Sequence, residues 1–112
     1  MAGKAFENWL FHELRSYNAY RERFADFSFW RLSTGVEVDF IVNDLECAIE
    51  CKASPRIRAD HLKGLRELAK EHSRIKRRMV VSLEPTTRKT EDGITIFSPD
   101  EFLRALWAGE LF

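Results

Sequence analysis

The sequence predicts an α/β fold in which helices flank a mixed sheet. Amphipathic helical spacing occurs near the start, in the middle and near the end of the chain, and alternating apolar and polar residues predict a strand hairpin. The continuous apolar run Met79–Leu83 is typical of a strand buried on both faces. Because 112 residues is a usual size for one domain, we predict a single domain over residues 1–112, with the element order αβββαββα.

The first predicted element is a helix over residues 5–24. Apolar residues on one of its faces recur at spacings of four, four and three: Phe6, Leu10, Leu14 and Tyr17. Two strands follow, over residues 27–32 and 36–42. A tight turn at Asn43 and Asp44 then leads into a third strand over residues 45–53, so the second and third strands form a hairpin.

Pro55 ends the third strand, and a second amphipathic helix follows and ends near His72. Its apolar positions are Leu62, Leu65, Leu68 and Ala69. The run Met79–Leu83 completes a strand-helix-strand crossover unit, and residues 94–97 form a short last strand. Three residues then have the pattern of a helix start: Ser98 as N-cap, Pro99 at the first helical position and Glu101 at the third.

Eighteen basic and eighteen acidic residues give the chain no net charge, which excludes a uniformly basic, histone-like coat. The charges are unevenly placed, because residues 55–90 hold eleven basic and four acidic residues, a net charge of +7. No stretch approaches the roughly 20 apolar residues of a membrane span and no signal peptide is evident, so we predict a cytoplasmic protein. Cys47 and Cys51 lack further ligand partners, which favours buried free thiols over a disulfide or a zinc site.

Two carboxylates and one lysine on the predicted hairpin form the main candidate site. Glu50 and Lys52 point to the same side of their strand, about 6 to 7 Å apart, because strand side chains alternate. With a two-residue turn Asp39 lies nearer the turn than Glu50, so a bulge, a twist or a longer loop is needed to bring them together. Two carboxylates suit Mg²⁺, which could activate a water, while Lys52 would stabilise charge on a phosphate.

This arrangement resembles the PD-(D/E)XK nuclease superfamily. The degenerate PD motif is Val38-Asp39, and the (D/E)XK motif is Glu50-Cys51-Lys52. Further stretches look like the nuclease-like domain found at the C-terminus of archaeal and bacterial AAA-type ATPases. They are Phe6-Glu7, Trp30-Arg31, residues 35–41, residues 49–54 and residues 93–103. Nearly the whole chain is covered by the resemblance.

The resemblance implies a restriction-endonuclease-like αβββαβ core, as in Holliday-junction resolvases, followed here by a short strand and a helix. It further implies that Asp39, Glu50 and Glu7 bind Mg²⁺, with Mn²⁺ as a substitute, and that these residues and Lys52 are catalytic. Glu37 matches the family's Glu-x-Asp pattern and is expected to assist. The chain lacks a phosphate-binding Gly-x-x-x-x-Gly-Lys-Ser/Thr loop, so no ATP chemistry is expected, and a free-standing relative and a fragment of a longer ATPase both remain open.

Each candidate residue also has an ordinary structural interpretation. Glu50 and Lys52 could form an exposed salt bridge, and Asp39, Glu37 and Glu7 could be solvent-facing acids. The histidines lie at unrelated helical spacings, and only His61 is expected near the site: His12, His61 and His72. The tryptophans are interpreted as core or interface anchors, with base stacking undetermined: Trp9, Trp30 and Trp107.

The basic segment is expected to divide into two groups. The crossover topology brings the loops after the third strand and after Met79–Leu83 to one sheet edge. The residues of these loops that we predict to contact phosphates are Arg56, Arg58, Arg88 and Lys89. The second group lies at the other end of the second helix, about 18 Å away, and is predicted to be a solvated helix terminus: Arg74, Lys76, Arg77 and Arg78.

The leading functional hypothesis is a Mg²⁺-dependent nuclease that hydrolyses DNA phosphodiester bonds. The alternative is a non-catalytic DNA-binding or protein-interaction module of the same fold, accessory to an AAA-type ATPase. A third hypothesis is a dimerising scaffold, suggested by the apolar pairs Leu106-Trp107 and Leu111-Phe112. The residues do not distinguish endonuclease from exonuclease action, nor do they indicate the preferred DNA structure.

Overall fold

This computed structural model describes residues 2–112, in which three helices are separated by two groups of three strands. The helices are α1 (Ala2–Tyr20), α2 (Lys63–Glu71) and α3 (Pro99–Trp107). The strands are β1 (Phe27–Arg31), β2 (Glu37–Val42), β3 (Cys47–Cys51), β4 (Arg77–Val81), β5 (Arg88–Lys89) and β6 (Ile94–Phe97). A 3-10 turn, Ala59–Leu62, leads directly into α2.

The strands form one mixed sheet in the order β1-β2-β3-β4-β6-β5. The three N-terminal strands are antiparallel, β3, β4 and β6 are parallel, and β5 pairs antiparallel with β6. Helix α2 connects the parallel strands β3 and β4, which confirms the predicted crossover unit. The α/β class and the αβββαβ order are confirmed, and the short edge strand β5 is an addition to the prediction.

Each face of the sheet has its own apolar core. One core lies under α1 and α3, and it includes Cys47 and Ile49 of β3, whereas Ala48 points to the other core, under α2. The alternation predicted for β3 is therefore confirmed, although all five of its residues are buried because helices cover both faces. Both cysteines are buried free thiols, as predicted.

Helix α1 ends four residues earlier than predicted. Glu22 and Phe24 have φ values of +50° and +56°, a left-handed conformation that cannot continue a helix. The Asn18 side chain also binds the backbone of the segment that follows α1. Its amide N–H donates to the Ala25 carbonyl (3.1 Å), and its oxygen accepts from the Ala25 N–H (2.9 Å). The predicted start of α3 is confirmed, since Ser98 Oγ accepts a hydrogen bond from the Glu101 N–H.

The apolar residues at the end of the chain pack inside the fold. Leu106, Leu111 and Phe112 are buried in the core under α1 and α3. The Tyr17 hydroxyl donates a 2.7 Å hydrogen bond to the Phe112 carbonyl. Packing within one chain therefore accounts for the apolar pairs that suggested a dimerising scaffold. Within residues 2–112, no helix has the length and apolar character needed to cross a membrane.

Candidate active site

The loop between β2 and β3 brings the two carboxylates of the predicted site together. The predicted two-residue turn is wrong: four residues, 43–46, connect the strands, and Asn43 and Leu45 both have positive φ values. Val42 therefore pairs with Cys47, and Phe40 pairs with Ile49. One step further along this register, Asp39 lies opposite Glu50. Of the three ways considered for bringing Asp39 and Glu50 together, the structure therefore uses a longer loop.

Backbone hydrogen bonds hold Asp39 and Glu50 in a reciprocal arrangement. The Asp39 N–H donates to Glu50 Oε1 at 3.1 Å, and the Cys51 N–H donates to Asp39 Oδ2 at 2.9 Å. Lys52 Nζ lies 3.9 Å from Glu50 Oε2. Each carboxylate therefore uses one oxygen to accept a hydrogen bond from the backbone of the facing strand, and the second oxygen of Glu50 faces Lys52.

Glu50 lies in an environment that opposes its negative charge. The residue is 5% exposed. Burial, side-chain hydrogen bonding with the Asp39 carboxyl group and the charge of Asp39 together raise the pKa of Glu50 to about 8, although Lys52 and the hydrogen bond from the Asp39 N–H act in the opposite direction. Two carboxylates that repel each other in this way are stabilised by a shared cation. Because Mg²⁺ binds through one or two carboxylates and keeps several waters, Asp39 and Glu50 fit this ion.

Glu7 of α1 interacts with the same site through charge, and not through a hydrogen bond to Asp39 or Glu50. Burial raises the pKa of Glu7, and Asp39 and Glu37 raise it further, while Lys4 and Lys52 lower it. Across residues 2–112, no three carboxylate, imidazole or thiol groups are close enough to form a metal centre by themselves. The assembled donors are therefore Asp39 and Glu50, and the role of Glu7 as a third ligand stays a prediction.

A cleft of about 280 Å³ opens beside the carboxylate pair. Its sheet wall includes Glu37, Asp39, Glu50 and Lys52, and its opposite wall includes Asp60, His61, Lys63 and Gly64. Glu37 is paired across the strands with Arg31, whose Nε donates to its carboxylate at 3.0 Å. His61 was the one histidine expected here. The cleft residues that sequence reasoning missed are Asp60, Lys63 and Gly64, which no motif distinguishes from other residues of an amphipathic helix.

Gly64 allows α2 to approach the sheet at this point. A Cβ atom on Gly64 would lie 2.3 Å from the backbone oxygen of Glu37, well inside van der Waals contact. Because Gly64 has no side chain, the first turn of α2 can pack directly against β2. This turn forms part of one wall of the cleft.

The loops after β3 and β4 meet at one edge of the sheet, as the crossover topology predicted. Glu84 accepts from the Ile57 N–H at 2.7 Å, and Arg88 Nη2 donates to the Ile57 carbonyl at 3.2 Å. Arg88 also binds both oxygens of Glu84, at 2.8 and 2.9 Å, and this holds the pKa of Glu84 below its usual range. Arg88 is thus engaged in joining the loops, whereas Arg56 and Arg58 are exposed.

The remaining basic residues lie away from the cleft. Lys89 pairs with Thr95 and borders a hollow shared with Lys76 and Arg77, so the structure does not bring it to the predicted site. Arg74 pairs with Asp44 of the β2–β3 loop at 3.4 Å. The second basic group follows the end of α2, as predicted, but it is only partly a solvated helix terminus. Arg77 and Arg78 belong to β4, and the largely buried Arg78 side chain lies 3.7 Å from Asp92.

The burial of Glu50 predicts a pH-dependent stability in the absence of metal. The folded state holds a proton up to about pH 8, whereas the unfolded chain releases it near 4.5, so the free energy of unfolding should fall as pH rises between these values. Urea midpoints in EDTA, measured at pH 5 and pH 8, would show the decrease. Glu50→Gln should reduce it, and an unchanged decrease in this variant would contradict the assignment.

No curated protein and no solved structure gave a significant match. The family described as a domain of unknown function (DUF4143) matches residues 2–102, which include the whole cleft described above. The chain belongs to the DUF4143 family.

Proposed function

We propose that this protein is a metal-dependent nuclease of the PD-(D/E)XK type that hydrolyses DNA phosphodiester bonds. The observation that carries the proposal is the Asp39–Glu50 pair, whose carboxylates are each fixed by a backbone N–H, with Lys52 beside them at an open cleft. The resemblance of Val38-Asp39 and Glu50-Cys51-Lys52 to the superfamily motifs, and the αβββαβ order of the fold, support it.

Each residue of the pair has a distinct role in this proposal. Asp39 and Glu50 would hold the ion, and their reciprocal backbone bonds keep the two carboxylates oriented. Bound Mg²⁺, or Mn²⁺ in its place, would lower the pKa of a water and neutralise phosphate charge. Lys52 directs its ammonium group to the phosphate oxygens, where negative charge increases in the transition state. Glu7 adds negative charge nearby and favours occupation of the site by a cation.

The charge distribution supports DNA as the substrate. Arg56 and Arg58 are exposed in the loop that follows Lys52, and cations at such positions bind phosphates rather than bases. Because the chain has no net charge, we expect binding without divalent ions to be weak and steeply dependent on salt. The proposed setting is the cytoplasm, with an AAA-type ATPase module as a partner.

The test is cleavage of a panel of linear and branched DNAs by the purified chain with Mg²⁺, Mn²⁺ or EDTA. We expect cleavage only with a divalent ion, and a loss of about hundredfold or more in Glu50→Gln, which keeps the side-chain shape but removes the charge. Glu71→Gln, an exposed position at the end of α2, is the matched control and should retain activity. Equal cleavage by wild type and Glu50→Gln would refute the proposal, as would no divalent-dependent cleavage of any DNA.

A second candidate is the non-catalytic module. It is favoured by the raised pKa of Glu50, since a site that keeps a proton at neutral pH is idle until a cation displaces it. Paramagnetic broadening by Mn²⁺ separates the two functions. Selective loss of the Asp39 and Glu50 NMR signals supports the nuclease, and unaffected signals support the module.

A further inference from the structure

His61 is locked by the backbone in a defined hydrogen-bonding state. The Arg58 N–H donates to His61 Nδ1 at 3.0 Å, and the His61 N–H donates back to the Arg58 carbonyl at 3.0 Å. Because Nδ1 accepts a hydrogen bond, the neutral ring carries its proton on Nε2. Nε2 has no partner among residues 2–112, although the ring borders the cleft.

Lys63 stands beside His61 on the same wall of the cleft. It is exposed, and its ammonium group forms no ion pair within the described residues. The neighbouring acid, Asp60, lies 3.9 Å from Arg58 Nε, which offsets its charge. This wall therefore offers one neutral N–H donor and one unpaired cation, and both residues line the same cleft as the carboxylates and Lys52.

We propose that His61 and Lys63 form a second phosphate subsite, which binds a backbone phosphate of the nucleic acid next to the one held by Lys52. The subsite rests on the proposed function in taking a nucleic acid as its ligand and in placing a neighbouring phosphate at Lys52. An imidazole Nε2–H and an ammonium are both donors, and phosphate oxygens are acceptors only. His61 is here a hydrogen-bond donor and not a proton donor, since releasing the Nε2 proton from a neutral ring would leave an imidazolate.

Two variants of His61 test its ring nitrogens separately. His61→Asn keeps an acceptor near the position of Nδ1, and so the bond to the Arg58 N–H, but it removes the donor. His61→Gln instead places an amide N–H near the position of Nε2. Lys63→Ala removes the cation, and Lys76→Ala removes an exposed lysine from the opposite end of the sheet as a control.

The experiment measures binding of a short labelled DNA duplex by fluorescence anisotropy in Ca²⁺ over a range of salt concentrations. We expect Lys63→Ala to weaken binding about tenfold and to reduce the salt slope by about 0.9, the value for one phosphate contact. His61→Asn should weaken binding about fivefold with an unchanged slope, because the lost donor is neutral. His61→Gln and Lys76→Ala should bind like wild type.

Several outcomes would overturn the subsite. They are wild-type binding by both His61→Asn and Lys63→Ala, equal weakening by His61→Asn and His61→Gln, and a complete absence of DNA binding. The proposed nuclease activity is tested separately by cleavage. Binding with the expected pattern but no cleavage supports the subsite and refutes the nuclease, whereas cleavage with unaltered binding in both variants refutes the subsite alone.

Discussion

Lys52→Ala is expected to lower the Mg²⁺-dependent cleavage rate by about hundredfold or more, because it removes the positive charge closest to the carboxylate pair. The fold should persist, since the Lys52 side chain is 39% exposed and its ion pair with Glu50 is long, at 3.9 Å. Single-turnover cleavage at saturating Mg²⁺ measures the effect.

Metal binding and chemistry need to be separated in that experiment. Lys52 lowers the pKa of Glu50, so the removal of Lys52 makes Glu50 harder to deprotonate and is expected to weaken metal binding. Titration with Mn²⁺ would establish saturation before the rates are compared, and Lys76→Ala removes the same charge far from the cleft. A saturated Lys52→Ala protein that cleaved DNA at the wild-type rate would exclude the catalytic role of this lysine.

Gly64→Ala is expected to destabilise the fold by about 2–3 kcal/mol, as overpacking does in other cores. In an exposed helix the same change would stabilise by up to about 1 kcal/mol. Here the sign is reversed, because the new Cβ would stand 2.3 Å from the Glu37 carbonyl oxygen and 3.4 Å from a methyl group of Val38. Helix α2 and strand β2 must therefore move apart to accommodate the methyl group. Urea denaturation measures the change.

Gly3→Ala is the matched control for that prediction. Gly3 also lies in a helix, α1, but nothing approaches within 4 Å of its Cβ position. We expect this variant to be unchanged or slightly more stable. Equal stability of Gly64→Ala and wild type would show that α2 can move away from β2 at little cost.

Local patterns in the sequence were sufficient for most of the helices and strands. Residues at helical spacing in α1, the capping residues Ser98 and Glu101 of α3, and the apolar run within β4 each act through their near neighbours in the chain. Boundaries were less certain where a distant contact intervenes. The end of α1 depends on the Asn18 bonds to Ala25, and residues Arg88 and Lys89 pair with β6 although they carry no strand pattern.

The candidate site was predicted in its residues and only partly in its geometry. Asp39, Glu50 and Lys52 were identified from motif and alternation, and the structure places them together. On the opposite wall only His61 was expected near the site, and Lys63 was not predicted, because it lies there only through the close approach of Gly64 to β2. Arg88 was predicted to contact phosphate, yet its guanidinium is committed to Glu84 and Ile57.

The sequence by itself determined the α/β class, the order of the main elements and the three motif residues, because these follow from periodicity and residue type along the chain. Only the tertiary structure decided that Asp39 faces Glu50. That outcome depends on a four-residue loop with two left-handed residues, Asn43 and Leu45, which shifts the pairing by two positions. Strand register is a property of two chain segments and their loop together, so no single segment encodes it.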